Sequence, residues 1–348
     1  MPATIRDIKE KTGLSLATIS KYLNGGNVLP ENRIRIEAAI KELHYEVNEI
    51  ARGLVTNRTR TVGVVVYSVE SLFSGTLLHH IGNALRKEKY GILICDSCND
   101  EKIEAENIRF LLNKKVDGMI VMPVSKKARF LKSAKDAGLP VVLMDRSIRN
   151  AEFDCVRIDN RMAAFRAVDI LLKNNHRKIA VICSDSEHEY TGYERYKGYL
   201  DAMEQAGIAV LPEYLKMGRH SIEFGQESMR ELLQLEDRPT AVFMSNYEIT
   251  LGAVMALNES GIRCPEDISM FGFDDLILSH LLKPQMHMVV QPMKEMSEKA
   301  VEILLHHIQG KSGKNKREEI PVEIIMGTRI REGNSVARLP QELTVVDG

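Results

Sequence analysis

The segment from Thr4 to Asn24 constrains the fold of this chain more than any other. Apolar residues at Ile5, Ile8, Leu14, Ile19 and Leu23 recur at helical spacing and can face one small core. Thr4 with Asp7 three positions on reads as a capping box for a first helix, and Gly13 supplies the turn that ends it. Ser15 can cap a second helix, whose first turn presents Leu16, Ala17, Thr18 and Ser20 outward. Two short helices joined by a tight turn make helix-turn-helix geometry, which places the start of the second helix in a DNA major groove. A third helix is expected from about Glu31 to His44, started by Pro30, with Ile36, Ala39, Ile40 and Leu43 as its inward stripe.

The overall net charge of −1 hides a division along the chain. Residues 1–60 carry ten Lys/Arg against seven Asp/Glu, and the remainder carries 37 against 41. A basic end on an acidic body suits a DNA-reading module attached to a sensor. A chain of 348 residues exceeds one ordinary domain, and length alone suggests about two. No window approaches the roughly 20 apolar residues that span a bilayer, and the N-terminus does not read as a secretory signal, so a cytoplasmic protein is expected.

From Thr61 onward, apolar strand candidates alternate with amphipathic helices. Strands are expected near 62–67, 91–95, 118–122 and 140–144, then near 155–158, 178–183, 214–217, 240–244 and 268–272. Helices are expected near 72–89, 101–114, 126–137, 160–175, 191–206, 221–235, 246–260 and 293–309, with a final strand region near 319–330. Short apolar runs separated by helices indicate parallel sheets covered on both faces. Two such blocks in series form two doubly wound α/β subdomains, with a ligand cleft beyond the C-terminal ends of their strands.

Several motifs fall in a known order. Thr18-Ile19-Ser20-Lys21-Tyr22-Leu23-Asn24, Glu42-Leu43-His44-Tyr45 and Asn48-Glu49-Ile50-Ala51-Arg52-Gly53-Leu54 are followed by Thr61-Val62-Gly63-Val64-Val65-Val66. Val116-Asp117-Gly118-Met119-Ile120, Met144-Asp145-Arg146, Arg195-Tyr196-Lys197-Gly198, Phe271-Gly272-Phe273-Asp274-Asp275 and Gln291-Pro292 come next. Over nearly its whole length the chain resembles the LacI/GalR family. The resemblance implies a headpiece at 1–46, a hinge helix and linker at 47–60, a periplasmic-binding-protein-like core at 61–340 and a tail at 341–348. It places the first subdomain at about 61–160 and 292–320, and the second at about 161–290 and 321–340, with chain crossings near 160, 291 and 321.

The resemblance also assigns roles. Leu16, Ala17 and Lys21 occupy the base-choosing positions; the first two can read only shape and thymine methyl groups, and Lys21 can reach guanine or phosphate. Thr4, Ser15, Thr18, Ser20 and Asn24 are expected at the DNA surface, with phosphate contacts from Thr18, Ser20 and Asn24; internal helix bonding is the alternative for Thr18 and Asn24. Asn48, Ala51, Arg52 and Leu54 belong to the hinge helix, whose leucine wedges into the minor groove. Val47 stands where the family usually has proline. Paired recognition and hinge helices imply a homodimer on a pseudo-palindromic operator.

For the effector, the resemblance points to Phe73, Asp145, Arg195, Asn246, Asp274 and Gln291. This charged and amide-rich set suits sugar hydroxyls, and Phe73 can stack on a ring; the alternatives are a core place for Phe73, pairing of Arg195 with Glu194 or another surface acid, and a turn or capping role for Asp274 and Asp275. Tyr247 follows Asn246 where sugar-binding relatives place aspartate, which leaves the effector's identity open. The expected function is a repressor-type transcriptional regulator with a small-molecule, sugar-like effector, no cofactor and no catalytic residues. A protein co-effector, a non-sugar metabolite and a solute-binding receptor are the alternatives. Cys95-Asp96-Ser97-Cys98 has CxxC spacing but no second close pair to complete a zinc site, and reads as a strand end and loop. The pairs His79-His80 and His306-His307 chelate poorly, since adjacent helical residues point about 100° apart. Lys311-Ser312-Gly313-Lys314-Asn315-Lys316-Arg317 reads as a solvated turn.

Overall fold

The computed structural model describes residues 3–46, 53, 58–124, 127–148, 152–184, 190–310 and 320–341. The chain divides into two units, Met1–Arg60 and Thr61–Gly348.

The first unit holds α1 (Ile5–Thr12), α2 (Leu16–Leu23) and α3 (Pro30–Glu42). The Thr4 backbone N–H donates to the Asp7 carboxylate at 2.6 Å and the Thr4 hydroxyl donates to the same oxygen at 2.9 Å. These bonds, the backbone one foremost, hold the Asp7 carboxyl below the usual carboxylate range. Gly13 ends α1 at φ 69°, a left-handed conformation that favours glycine, and its N–H reaches the Lys9 carbonyl at 2.7 Å. Ser15 Oγ accepts the Thr18 N–H at 3.1 Å and so starts α2. The inward faces meet at Ile8, Ile19, Ile36 and Ala39, all buried, with Ile5, Leu14, Leu23, Ile40 and Leu43 packed around them. Each fully buried aliphatic side chain contributes about 1.5–3 kcal/mol, so a core this small depends on its caps. The third helix stops at Glu42, two residues short of the expected end, because His44 turns to φ 47°.

In the second unit the strands are β1 (Thr61–Val66), β2 (Gly91–Asp96), β3 (Gly118–Val121), β4 (Val141–Met144), β5 (Asp154–Ile158), β6 (Ile179–Ser184), β7 (Leu215–Gly218), β8 (Ala241–Met244), β9 (Ser269–Phe273), β10 (His287–Val290), β11 (Glu323–Met326) and β12 (Arg329–Arg331). The helices are α4 (Leu72–Lys87), α5 (Glu101–Asn113), α6 (Lys132–Asp136), α7 (Asn160–Lys173), α8 (Tyr190–Gln205), α9 (Ile222–Gln234), α10 (Tyr247–Ser260) and α11 (Met293–Gly310). One six-stranded sheet has the order β11-β5-β4-β3-β1-β2, and the other β12-β10-β9-β8-β6-β7. All pairings are parallel except β10 with β12. This is the expected pair of doubly wound α/β subdomains. Central strands such as β3, β4, β6, β8 and β9 are buried along their whole length, as parallel strands between two helical layers must be.

Three details differ from expectation. Residues 319–330 contain two strands, β11 and β12, separated by Gly327 and Thr328. Since β11 pairs with β5, the last crossing between lobes falls after Met326 and not near 321, and residues 323–326 belong to the first lobe. Strand β10 adds a rung beside β9 that periodicity did not reveal. The helix expected over 126–137 shrinks to a 3-10 turn at Ala128–Phe130 and the short α6. Among the described residues, no helix is long and apolar enough to cross a membrane.

Candidate functional site

Two surfaces carry the chemistry, one on each unit. On the headpiece, Ser15, Leu16, Ala17, Lys21 and Asn24 are exposed, and Thr18 and Ser20 are half-buried. Leu16 is 40% exposed, an apolar side chain left outside the small core on the face that a groove-binding helix presents. Ser15 and Thr18 hydroxyls lie 2.9 Å apart, and Asn24 Nδ2 donates to Ser20 Oγ at 3.3 Å. The helix-bonding alternative for Thr18 and Asn24 is therefore present in the structure. Gly25 at φ 77° and Gly26 close the helix, with the Gly26 N–H on the Lys21 carbonyl at 2.8 Å. A Cβ at Gly26 would come within 2.7 Å of Lys21 Cγ and 2.9 Å of Lys21 O, so this glycine leaves Lys21 its place. A groove of about 600 Å³ runs beside Lys21, lined also by Ala17, Thr18, Asn27, Leu29 and Asn32. Asn27 and Asn32 were not singled out from sequence; their amides can both donate and accept. The hinge candidates Asn48, Ala51, Arg52 and Leu54 lie outside the described residues.

Between the lobes of the second unit lies a cavity of about 950 Å³. Its first-lobe wall includes Tyr67 and Ser71, which follow β1, and Arg146, which follows β4. His220 follows β7 and Glu248 sits in the first turn of α10; both belong to the second-lobe wall. These are positions beyond the C-terminal ends of strands, where ligands bind in doubly wound sheets. Tyr67 Oη and Ser71 Oγ are 3.0 Å apart, and the Ser71 hydroxyl donates across the cleft to Glu248 at 3.0 Å. His220 Nε2 lies 2.6 Å from the other Glu248 oxygen. Burial pushes the Glu248 carboxyl up, but the His220 hydrogen bond and charge, with smaller help from Ser71, bring it below the usual range. The Arg146 guanidinium stacks over the Tyr67 ring at 4.4 Å and lies 3.4 Å from Asp145.

The residues expected to hold the effector lie deeper than this cavity. Arg195 donates to Asn160 Oδ1 at 2.8 Å and to the Ser245 carbonyl at 2.6 Å, and sits 3.4 Å from Asp274. Its guanidinium carbon is 3.6 Å from the centre of the Phe273 ring. Gln291 Nε2 donates to the other Asp274 oxygen at 2.5 Å. Burial raises the Asp274 carboxyl to about 6, against the opposing influence of Arg195 and Gln291. The structure thus gathers Arg195, Asp274 and Gln291 into a buried network, while the buried Asp145 pairs with Arg146 and its charge is felt at Asp274. Asn246 caps α10, accepting the Ile249 N–H at 2.8 Å. For Phe73 the core place, the alternative to ring stacking, is present in the structure. Ser71 is the N-cap of α4, so Phe73 falls in the first turn and packs into the core, only 5% exposed. Tyr67, Ser71, Arg146, His220 and Glu248 were missed; the one sequence signal for them is their place just after strands or at a helix start.

The weaker motifs resolve plainly. Cys95 ends β2 in a buried position, while Cys98 is exposed at φ 48°. The Asp96 charge raises the Cys98 thiol and keeps it protonated, a poor nucleophile. His79 and His80 meet edge to face with ring centres 5.3 Å apart. No metal-holding group of His, Cys, Asp or Glu occurs among the described residues. The basic segment 311–317 lies outside them.

The periplasmic binding protein-like domain family matches residues 168–328. The chain is 30% identical over 325 residues to catabolite control protein A of Priestia megaterium, covering 93% of this chain and 98% of that protein. It is 32% identical over 341 residues to the HTH-type transcriptional repressor PurR of Pectobacterium carotovorum subsp. carotovorum (strain PC1), covering 97% and 98%. The solved transcriptional regulator CelR–cellobiose complex matches with a TM-score of 0.71 and 27% identity over 96% of this chain and 99% of that one. With its helix-turn-helix headpiece, its two doubly wound lobes and full-length relatives of this kind, the chain belongs to the LacI/GalR family of DNA-binding transcriptional regulators.

Proposed function

We propose that the protein is a repressor, not an enzyme, acting in the cytoplasm as a homodimer on a pseudo-palindromic operator under control of a polar, sugar-like effector. The observation that carries this reading is the face of α2. Leu16, Ala17 and Lys21 stand exposed on a helix whose opposite face, through Ile19, is locked into the headpiece core. Lys21 supplies the charge-assisted contact to guanine or phosphate, and Leu16 and Ala17 supply shape and methyl readout. Thr4, Ser15, Thr18, Ser20 and Asn24 fix the register on the backbone. Asn48, Ala51, Arg52 and Leu54 are assigned to the minor groove on the family resemblance, with Leu54 as the wedge that opens the central base step.

Two recognition helices related by a two-fold axis require half-sites spaced by whole helical turns, about 34–36 Å each. Effector binding between the lobes changes their separation, and the lobes pass that change to the hinge helices as a coupling free energy. The relative solved with cellobiose supports a saccharide in the cleft. The polar lining at Ser71, His220 and Glu248 supports it independently.

Selection of bound duplexes from a random DNA pool with the full-length protein tests the reading. Enrichment of a two-fold symmetric site, lost with Lys21→Ala, is the expected result. Recovery of no common sequence at physiological salt would overturn it. Leu54→Ala separates the hinge role: it should bind the selected site without bending it.

A further inference from the structure

The cavity tells which chemistry its ligand must bring, given that it is the effector site. We propose that the effector is a non-anionic small molecule rich in O–H or N–H donors, and that Glu248 is the acceptor that anchors it and sets its specificity.

The polar groups beneath the cavity are already committed. Asn246 spends its carbonyl on capping α10 and its amide on Ser184 at 3.4 Å, and only 1% of it is exposed. Asp274 is held between Arg195 and Gln291. Glu248, two residues beyond Asn246, reaches the cavity wall and keeps acceptor capacity. Its Oε1 accepts from Ser71 and its Oε2 faces His220, and the neutral Ser71 hydroxyl is the contact that a ligand donor can replace.

Charge decides against an anion. The described lining places Glu70, Glu101, Glu223 and Arg219 at the exposed rim, and Glu248 with the Arg146 guanidinium and the His220 imidazole deeper in. Arg146 is buried and engaged with Asp145 and the Tyr67 ring, and Arg219 is exposed at the rim. A phosphate or carboxylate reaching Glu248 would meet a carboxylate whose neighbouring cationic groups, Arg146 and His220, are already engaged. A hydroxyl or ammonium group would instead reach a half-buried, ionised acceptor.

Glu248 also reports occupancy. Its bond to Ser71 ties the second lobe to the first. Ligand donors that take Oε1 replace the Ser71 hydroxyl, so binding breaks that interlobe bond and substitutes contacts through the ligand. Ser71 therefore competes with the ligand, and the two residues act in opposite directions.

Calorimetry and thermal shift on the full-length protein test this with three probe sets: cellobiose, glucose and galactose; glucosamine; and glucose 6-phosphate. The expected result is binding in the neutral or amine set and none with the phosphate. For that same probe, Glu248→Gln weakens binding by roughly ten- to hundredfold, the usual cost of losing a charged hydrogen-bond partner. Ser71→Ala tightens it by about two- to tenfold. A residue that only supports the fold would weaken binding in both variants, and Ser71→Ala keeps the test open if Glu248→Gln unfolds. Binding confined to glucose 6-phosphate, or unchanged in Glu248→Gln, overturns this inference and leaves the cleft as an effector site. Silence in all three sets counts against the small-molecule reading itself, and this inference falls with it.

Discussion

Asp274→Asn sets two electrostatic effects against each other at the buried heart of the core. One is the pairing of Asp274 with Arg195 at 3.4 Å; breaking a buried pair by removing one charge commonly costs about 3–5 kcal/mol. The other is the desolvation of Asp274, which with the nearby Asp145 and Glu248 carboxylates raises its carboxyl from 3.8 to about 6 despite Arg195. A rise of about two pH units corresponds to about 3 kcal/mol that the folded state loses when this group ionises, an order-of-magnitude figure. Because the folded pKa lies above the unfolded one, the folded state binds the extra proton between pH 3.8 and about 6. Stability from this group is thus full below pH 3.8 and declines as pH rises through 6. Asparagine mimics the protonated carboxyl, accepts from Gln291 and leaves Arg195 its bonds to Asn160 and Ser245. Relative to wild type, Asp274→Asn should therefore gain up to about 3 kcal/mol between pH 4 and pH 7. Urea unfolding of both proteins across that range measures the difference. A variant that loses several kcal/mol at pH 7 and keeps the wild-type slope would show that Arg195 pairing dominates and would refute the reasoning.

Further outcomes follow from the same contacts. Ser15→Ala removes the α2 cap and should cost the headpiece about 1 kcal/mol, speeding amide exchange in its helices by about fivefold. Unchanged exchange would deny the cap that role. His176 is buried, with Nδ1 2.9 Å from Thr240 Oγ1 and Nε2 3.0 Å from the Ala337 carbonyl. His176→Ala should cost the core about 2–3 kcal/mol in urea unfolding, and a loss below about 0.5 would contradict its bridging role. Burial depresses its pKa, against the Ala337 hydrogen bond, so its stabilisation is present above pH 6.5 and falls as pH drops below that value. The variant should show that acid dependence reduced.

Much of the fold was legible because local rules and global packing agree. Thr4 with Asp7, Gly13 and Ser15 announce the headpiece by cap chemistry alone, and all three act as read. Strands such as β1, β6 and β9 stand out as apolar runs between helices, since both faces of a parallel sheet are covered. Strand β10 was missed because only a 3-10 turn, Ile277–Leu281, stands between it and β9, so no helical period sets it apart. Strands β11 and β12 were merged because Gly327 and Thr328 form too short a break to read as a change of sheet.

The site was legible in its residue types and less so in their depth. Arg195, Asp274 and Gln291 do converge, but on one another, and Asp145 pairs with Arg146, because a buried charge must find a partner or a hydrogen bond. Tyr67, Ser71, Arg146, His220 and Glu248 come from five separate strand ends or helix starts. Their meeting depends on how two sheets face each other, which no local spacing encodes.

The central claim, that α2 reads DNA, is met most directly by fluorescence anisotropy of the full-length protein on a selected palindromic duplex across a salt series. The account predicts binding far tighter than to a scrambled duplex, with affinity falling as salt rises by about 0.9 log units per neutralised phosphate for each tenfold step. Lys21→Ala should weaken it, either relaxing discrimination at one base pair per half-site or reducing the salt slope by about one. Equal affinity for selected and scrambled duplexes, unchanged by Lys21→Ala, would contradict the account.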